Sequence, residues 1–266
     1  RGHRGAGRMI GDDLIARILR EGERRADEVE VFYARGTSVS AEIKKGILGT
    51  AEESEAWSMA IRTVRDGRIG SSSTGDPDRW KECLEAALAS GRLATPQQWG
   101  GFPKPAEMAG TASASDPDIV VAIEDAAGMV DALLAGAAEH PVEVVGGSAD
   151  LARSYIAVAN TNGVTYGMDR TVAAVSLEAI REQSTGYEFD ASPFRADIDA
   201  RSVGEEAAAL AARSLGGSEV ATGRYDVVLS PVAAASILGQ VILPALSGRN
   251  VKAGRSFLAD KVGEQV

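Results

Sequence analysis

Few side chains in this sequence of 266 residues are placed to do chemistry, and their spacing limits what they can do. It holds two histidines. His3 falls in the basic, Gly-rich opening Arg1–Arg8, which leaves His140, followed by Pro141 at a predicted helix end. A histidine acting as general base needs a nucleophile within reach and a carboxylate to orient it. The sequence names neither, whereas an imidazole at a helix C-terminus is favoured by the helix dipole. Ser71, Ser72 and Ser73 lie in the run Gly70–Gly75, which misses the G-x-S-x-G spacing of a nucleophile elbow, so they read as strand-end and capping serines. An independent hydrolase using Ser71–Ser73 or His140 is the enzyme-class alternative. The pairs Asp116/Asp118 and Asp197/Asp199 are two residues apart, which points their carboxylates away from each other on a helix, and both read as caps at helix entrances. Cys83 is the single cysteine, so it forms no internal disulfide, and beside Leu84 in a helical pattern it reads as a buried structural thiol.

Neither a phosphate-cradling G-x-x-x-x-G-K-[ST] nor a G-x-G-x-x-G after a strand occurs. A hydrolytic zinc site takes two or three imidazoles or thiolates, which these residues do not supply. No catalytic, cofactor-binding or metal-binding residue is therefore expected. Twenty-eight Lys and Arg against 38 Asp and Glu give a net charge of −10, a field that repels phosphate backbones and argues against direct nucleic-acid binding. No apolar run approaches the ~20 residues that cross a bilayer, and the opening has no apolar signal core, so a cytoplasmic protein without membrane contact is expected.

The elements that must position these residues follow from periodicity. Ile10, Leu14, Ile15, Ile18 and Leu19 recur at helical spacing. Alternation predicts strands at Val29–Tyr33, Val39–Lys44, Ile47–Glu52 and Trp57–Thr63, and Asp66-Gly67 is a hairpin signal returning through 68–73. A helix is predicted after the Asp76-Pro77 cap, burying Trp80, Leu84 and Leu88, and an irregular crossing over 91–117. A second helix is predicted from Asp116-Pro117, burying Ile119, Ile123, Val130 and Leu134. Strands at 142–145, 154–159, 164–168 and 172–177 turn at Asn160–Gly163, and a loop with Gly186, Pro193 and Asp197 leads to a helix over 203–215. Tyr225–Leu229 reads as a short strand and Pro231–Leu246 as a helix. The fold class is α+β, with antiparallel sheets and packed helices. Length and composition fit two domains: 1–8 as an unstructured leader or tag remnant, 9–220 as an N-terminal α+β domain, and 221–266 as the start of a strand-rich second domain, with Gly216–Gly223 at the boundary.

Four stretches resemble the TldD/PmbA family, also called modulators of DNA gyrase. They are 28–43 (EVEVFYARGTSVSAEI), 61–74 (IRTVRDGRIGSSST), 160–171 (NTNGVTYGMDRT) and Tyr225–Val266 with its Arg-Ser-Phe-Leu and Gly-Glu-Gln-Val segment. The family has two kinds of subunit, and the TldD kind carries His-Glu-x-x-x-His on a helix. The resemblance places Gly239 at the first His, Gln240 at the Glu and Pro244 at the second His. It therefore implies a TldE/PmbA-type, non-catalytic subunit without a cofactor. Such a subunit pairs with a TldD-type catalytic subunit in a heterodimer, or with itself as a homodimer, and meets peptide substrates through its partner in intracellular peptide processing. Direct, protein-level modulation of DNA gyrase is the binding-class alternative.

Overall fold

The computed structural model describes residues 3–106 and 115–265. The chain divides into two compact units, Arg1–Leu215 and Gly216–Val266, so the break falls at the start of the expected Gly216–Gly223 boundary.

In the first unit the order of helix, three strands, helix occurs twice. The first half is α1 (His3–Gly22), β1 (Glu28–Lys44), β2 (Ile47–Arg65), β3 (Arg68–Thr74) and α2 (Trp80–Leu93). The second is α3 (Ile123–Ala137), β4 (Glu143–Asn160), β5 (Thr165–Arg181), β6 (Ser184–Ser192) and α4 (Ala200–Arg213). All six strands join one antiparallel sheet in the order β3-β2-β1-β4-β5-β6. The halves meet where β1 pairs β4, and Thr37 faces Arg153 near the middle of that ladder. The fold is α+β. Helix α1 starts at His3, so it takes in residues 3–8 of the stretch set apart as a leader, while Arg1 and Gly2 lie outside the described residues.

Strand β1 shows how the two halves are built. Val29, Val31 and Tyr33 point into one core with Ile15, Ile18, Met59, Ile61 and Leu84. Val39, Ala41 and Ile43, on the same face, point into another with Met129, Leu133, Leu151, Leu177 and Ala207. Between them Ala34–Thr37 are half-buried, because this stretch runs under the seam between the two helical layers. The loss of apolar alternation there suggests two strands, yet the backbone ladder continues unbroken, and the expected strands at 47–52 and 57–63 likewise merge into β2. The sheet's opposite face carries exposed Phe32, Val172, Tyr187 and Phe189.

Three further expectations are revised. The stretch holding Gly186 is not a loop but strand β6, paired with β5 from Ala173↔Ser192 to Arg181↔Ser184. Gly186 is needed there because the backbone of α4 at Ala207 and Ala211 presses on the position a side chain would fill. The second helix begins at Ile123 rather than at Asp116-Pro117, since Asp116 turns its carboxylate to the Asp118 amide (2.8 Å) and across to the Arg195 amide (3.0 Å). Ile119 is still buried, as a plug ahead of the helix. Of the irregular crossing, 91–93 complete α2, and 107–114 lie outside the described residues.

In the second unit Tyr225–Leu229 is not paired into a sheet, because no strand among its described residues offers an edge. The predicted helix over Pro231–Leu246 forms as α5 (Pro231–Ile237), a π-helical turn (Leu238–Ile242) and α6 (Leu243–Leu246), followed by α7 (Gly248–Lys252).

Candidate functional site

The helix that carries Gly239, Gln240 and Pro244 starts in a way its sequence dictates. Ser230 accepts from the Ala233 amide at 3.3 Å as N-cap, and Pro231 fills the first turn, where its missing N–H costs nothing. Pro244 has no N–H to return to the Gln240 carbonyl, and its ring crowds that carbonyl. The helix widens in front of it, and the Leu243 amide reaches back five residues to the Leu238 carbonyl. A turn bonded five residues back brings residues five apart onto one side, which is the spacing of Gly239 and Pro244. Both residues and Gln240 are exposed. The end of the helix is tied down by Asn250 Nδ2, which donates to the Pro244 carbonyl (2.8 Å), and by Ser256 Oγ, which donates to the Ala245 carbonyl (2.6 Å).

This geometry would suit two ligands one π turn apart, but the residues do not fit a hydrolytic metal. Glycine has no side chain, the proline ring has no donor atom, and an amide does not take a proton as a carboxylate does. Among the described residues no group of three or more His, Cys, Asp or Glu comes together as a ligand cluster.

The other candidates are kept apart by the fold. Ser71–Ser73 lie on edge strand β3, where Ser90 Oγ accepts from the Ser71 amide (2.9 Å) and donates to the Ser71 carbonyl (3.1 Å). His140 is half-buried in the turn between α3 and β4, in the other half of the sheet, so no serine–histidine pair forms. Cys83 is buried at 4% exposure, as expected of a structural thiol. The aspartates are structural too. Asp199 caps α4 by accepting from the Ser202 amide (3.1 Å), and Asp197 accepts from Ser192 Oγ (2.6 Å). Asp116 holds together three segments, with its carboxyl kept below the ordinary value first by the Arg195 amide and then by that of Asp118. Arg153, at the seam, donates to the carbonyls of Asp116, Pro117 and Ile119 at 3.1–3.3 Å.

Two polar centres escaped the sequence reading. Glu28 accepts from Trp99 Nε1 (3.0 Å), the Phe102 amide (2.6 Å) and Asn162 Nδ2 (2.9 Å), which fixes the crossing after α2 to the Asn160–Gly163 turn. The partners lie far apart in sequence, and only the Asn-rich turn hinted at them. The second is an arginine-lined cavity between α2 and the β2–β3 hairpin, whose members are scattered over the first half.

Sheet, helical layers and the helical second unit define a two-unit α+β protein whose second unit presents Gly239, Gln240 and Pro244 on a widened helical turn. Three successive domain models of the PmbA/TldA metallopeptidases match it: domain 1 over residues 29–91, the central domain over 108–215 and the C-terminal domain over 222–266. The chain belongs to the PmbA/TldD family. It is 24% identical over 262 residues to the uncharacterized protein MJ0231 of Methanocaldococcus jannaschii, covering 95% of this chain and 59% of that one. It is 25% identical over 268 residues to a metalloprotease of Methanothermobacter thermautotrophicus, covering 97% and 58%. The chain thus spans about three fifths of the length of these relatives.

Among solved structures, a candidate modulator of DNA gyrase from Thermotoga maritima superposes with a TM-score of 0.83 at 18% identity, covering 96% of this chain and 60% of that one. TldE from Thermococcus kodakarensis gives 0.77 at 22% identity, covering 94% and 59%. At such identities these likenesses establish the fold. No described helix is long and apolar enough to cross a membrane.

Proposed function

We propose that this chain is the non-catalytic, TldE/PmbA-type subunit of a cytoplasmic metallopeptidase. It pairs with a TldD-type catalytic subunit and shapes the cleft through which peptides reach that subunit's metal. The observation that carries this reading is the trio Gly239, Gln240 and Pro244, exposed on a widened helical turn with no ligand or base atom to offer. The fold likeness to TldE from Thermococcus kodakarensis supports it. Because a subunit built to meet a homologue presents a similar face to itself, a homodimer is the form expected in the absence of a partner.

Co-expression with a cognate TldD-type subunit, followed by an assay of unstructured peptides, tests the proposal. Cleavage is expected to require both chains, and equal cleavage with and without this one overturns it. A second reading, protein-level modulation of gyrase, draws on the description of the Thermotoga maritima neighbour as a candidate gyrase modulator. Capture of gyrase by this chain with no TldD-type subunit present favours that reading.

A further inference from the structure

The arginine-lined cavity, of about 530 Å³, lies in the first half of the first unit, on residues to which the peptidase reading gives no role. Its wall holds Arg24 from just past the end of α1, Arg25 in the turn that follows, Arg65 and Arg68 on either side of the β2–β3 turn, and Arg92 in the last turn of α2. Five arginines line one hollow, together with Thr63 and Asp66, in a chain whose formal charge is −10. Arg24 and Arg92 complement the negative ends of two helices, which would account for those two alone. Arg65 and Arg68 sit on a hairpin and have no such reason to be there.

The five divide into two sets. Arg25 is clamped by both oxygens of Glu85, and Arg68 is fixed by donating to the Ala94 carbonyl. The other three are loosely committed. Arg24 reaches Glu21 only at 3.3 Å, with its side chain 75% exposed. Arg65 donates to the Arg25 carbonyl at the long distance of 3.4 Å, stands 3.9 Å from Asp66 and is 68% exposed. Arg92 is exposed and acts on Glu85 through space. Leu88 and Gly91 add an apolar floor. We propose that this hollow binds a polyphosphate, either inorganic or the phosphate chain of a nucleotide, with Arg25 and Arg68 as the fixed wall and Arg24, Arg65 and Arg92 closing on the bound phosphates. The chemistry favours this class because planar guanidinium forks match phosphate oxygens two at a time, and a chain of phosphates can engage arginines from several elements at once. A cavity of this size lies in the range of small-ligand sites.

Isothermal titration calorimetry of the 266-residue chain with sodium triphosphate, and separately with ATP, tests this at low and moderate salt. Saturable one-site binding that weakens with salt is expected, lost at least tenfold in the double variant Arg24→Glu/Arg92→Glu. The control pair Arg224→Glu/Arg249→Glu, which makes the same charge change in the second unit, is expected to bind as the unaltered chain does. Tighter binding of ATP than of triphosphate assigns the site to nucleotides, and equal binding assigns it to the phosphate chain alone. Absence of saturable binding at millimolar anion, or an equal loss in the control pair, overturns the proposal. If the double variant fails to fold, Arg65→Gln replaces it and must still weaken triphosphate binding severalfold.

Discussion

A Cβ placed on Gly70 would stand 2.5 Å from the amide nitrogen of Gly91, and the same relationship recurs between Gly186 and Ala211, also at 2.5 Å. In each half of the sheet the closing helix lies directly against the edge strand, backbone on backbone, at a point where only glycine fits. Gly70→Ala and Gly186→Ala are each expected to lower stability by about 1–3 kcal/mol, read from urea unfolding, because the colliding atoms are main chain and cannot swing away. The two sites belong to different cores, so the losses should add in the double variant.

Asp116 gives a pH signature. Its carboxyl titrates below the ordinary value in the folded state, chiefly because the Arg195 amide donates to it. Such a group stabilises the fold fully above its unfolded-state value, and the contribution fades as pH falls through the folded-state value. Asp116→Asn is therefore expected to melt lower than the unaltered chain at neutral pH. The gap should narrow in acid and close as pH falls through the lowered folded-state value. A gap that stays constant with pH would contradict the assigned role.

Glu28 holds the crossing after α2 through three donors, and an amide in its place would turn an N–H toward at least one of them. Glu28→Gln should cost about 1–3 kcal/mol, the usual penalty for leaving partly buried donors unmatched. Emission from Trp99 should shift to the red, and chymotrypsin should cut after that residue sooner.

Pro244 sets the widened turn. Pro244→Ala restores the missing N–H, so the helix over 231–246 should close into a regular α-helix with stronger ellipticity at 222 nm and a gain of up to about 3 kcal/mol in that segment. Elemental analysis of the unaltered, purified chain should find zinc far below one equivalent. Stoichiometric zinc would remove the basis of the proposed partner role.

The sequence revealed the elements of this fold better than their joins. Helix α2, the Asp66-Gly67 hairpin and the Asn160–Gly163 turn are visible because each rests on local rules of periodicity, capping and turn chemistry. Strand β1 looked broken because its middle, Ala34–Thr37, runs beneath a seam between two helical layers, a fact of packing and not of local pattern, whereas the middle of β2, Glu52–Ala56, is exposed on both faces and so shows no apolar alternation. β6 was hidden for a related reason: Gly186 reads as a strand breaker until the backbone of α4 is seen against it. The trio at 239, 240 and 244 stands out only through family resemblance, since glycine, glutamine and proline announce nothing by themselves. The arginine hollow was hidden because its members come from β2, β3, α2 and the turn after α1, with no long run of basic residues to mark them.

The meeting of β1 and β4 at Thr37 and Arg153 also bears on how the molecule assembles. Each half can zip its own hairpins from residues close together along the chain, whereas the central ladder must unite two stretches separated by an entire half. Local zippering is fast, and closing a long loop is slow. The central ladder is thus the late event, and in a chain interrupted before it forms, each half would expose one long strand with an unsatisfied edge.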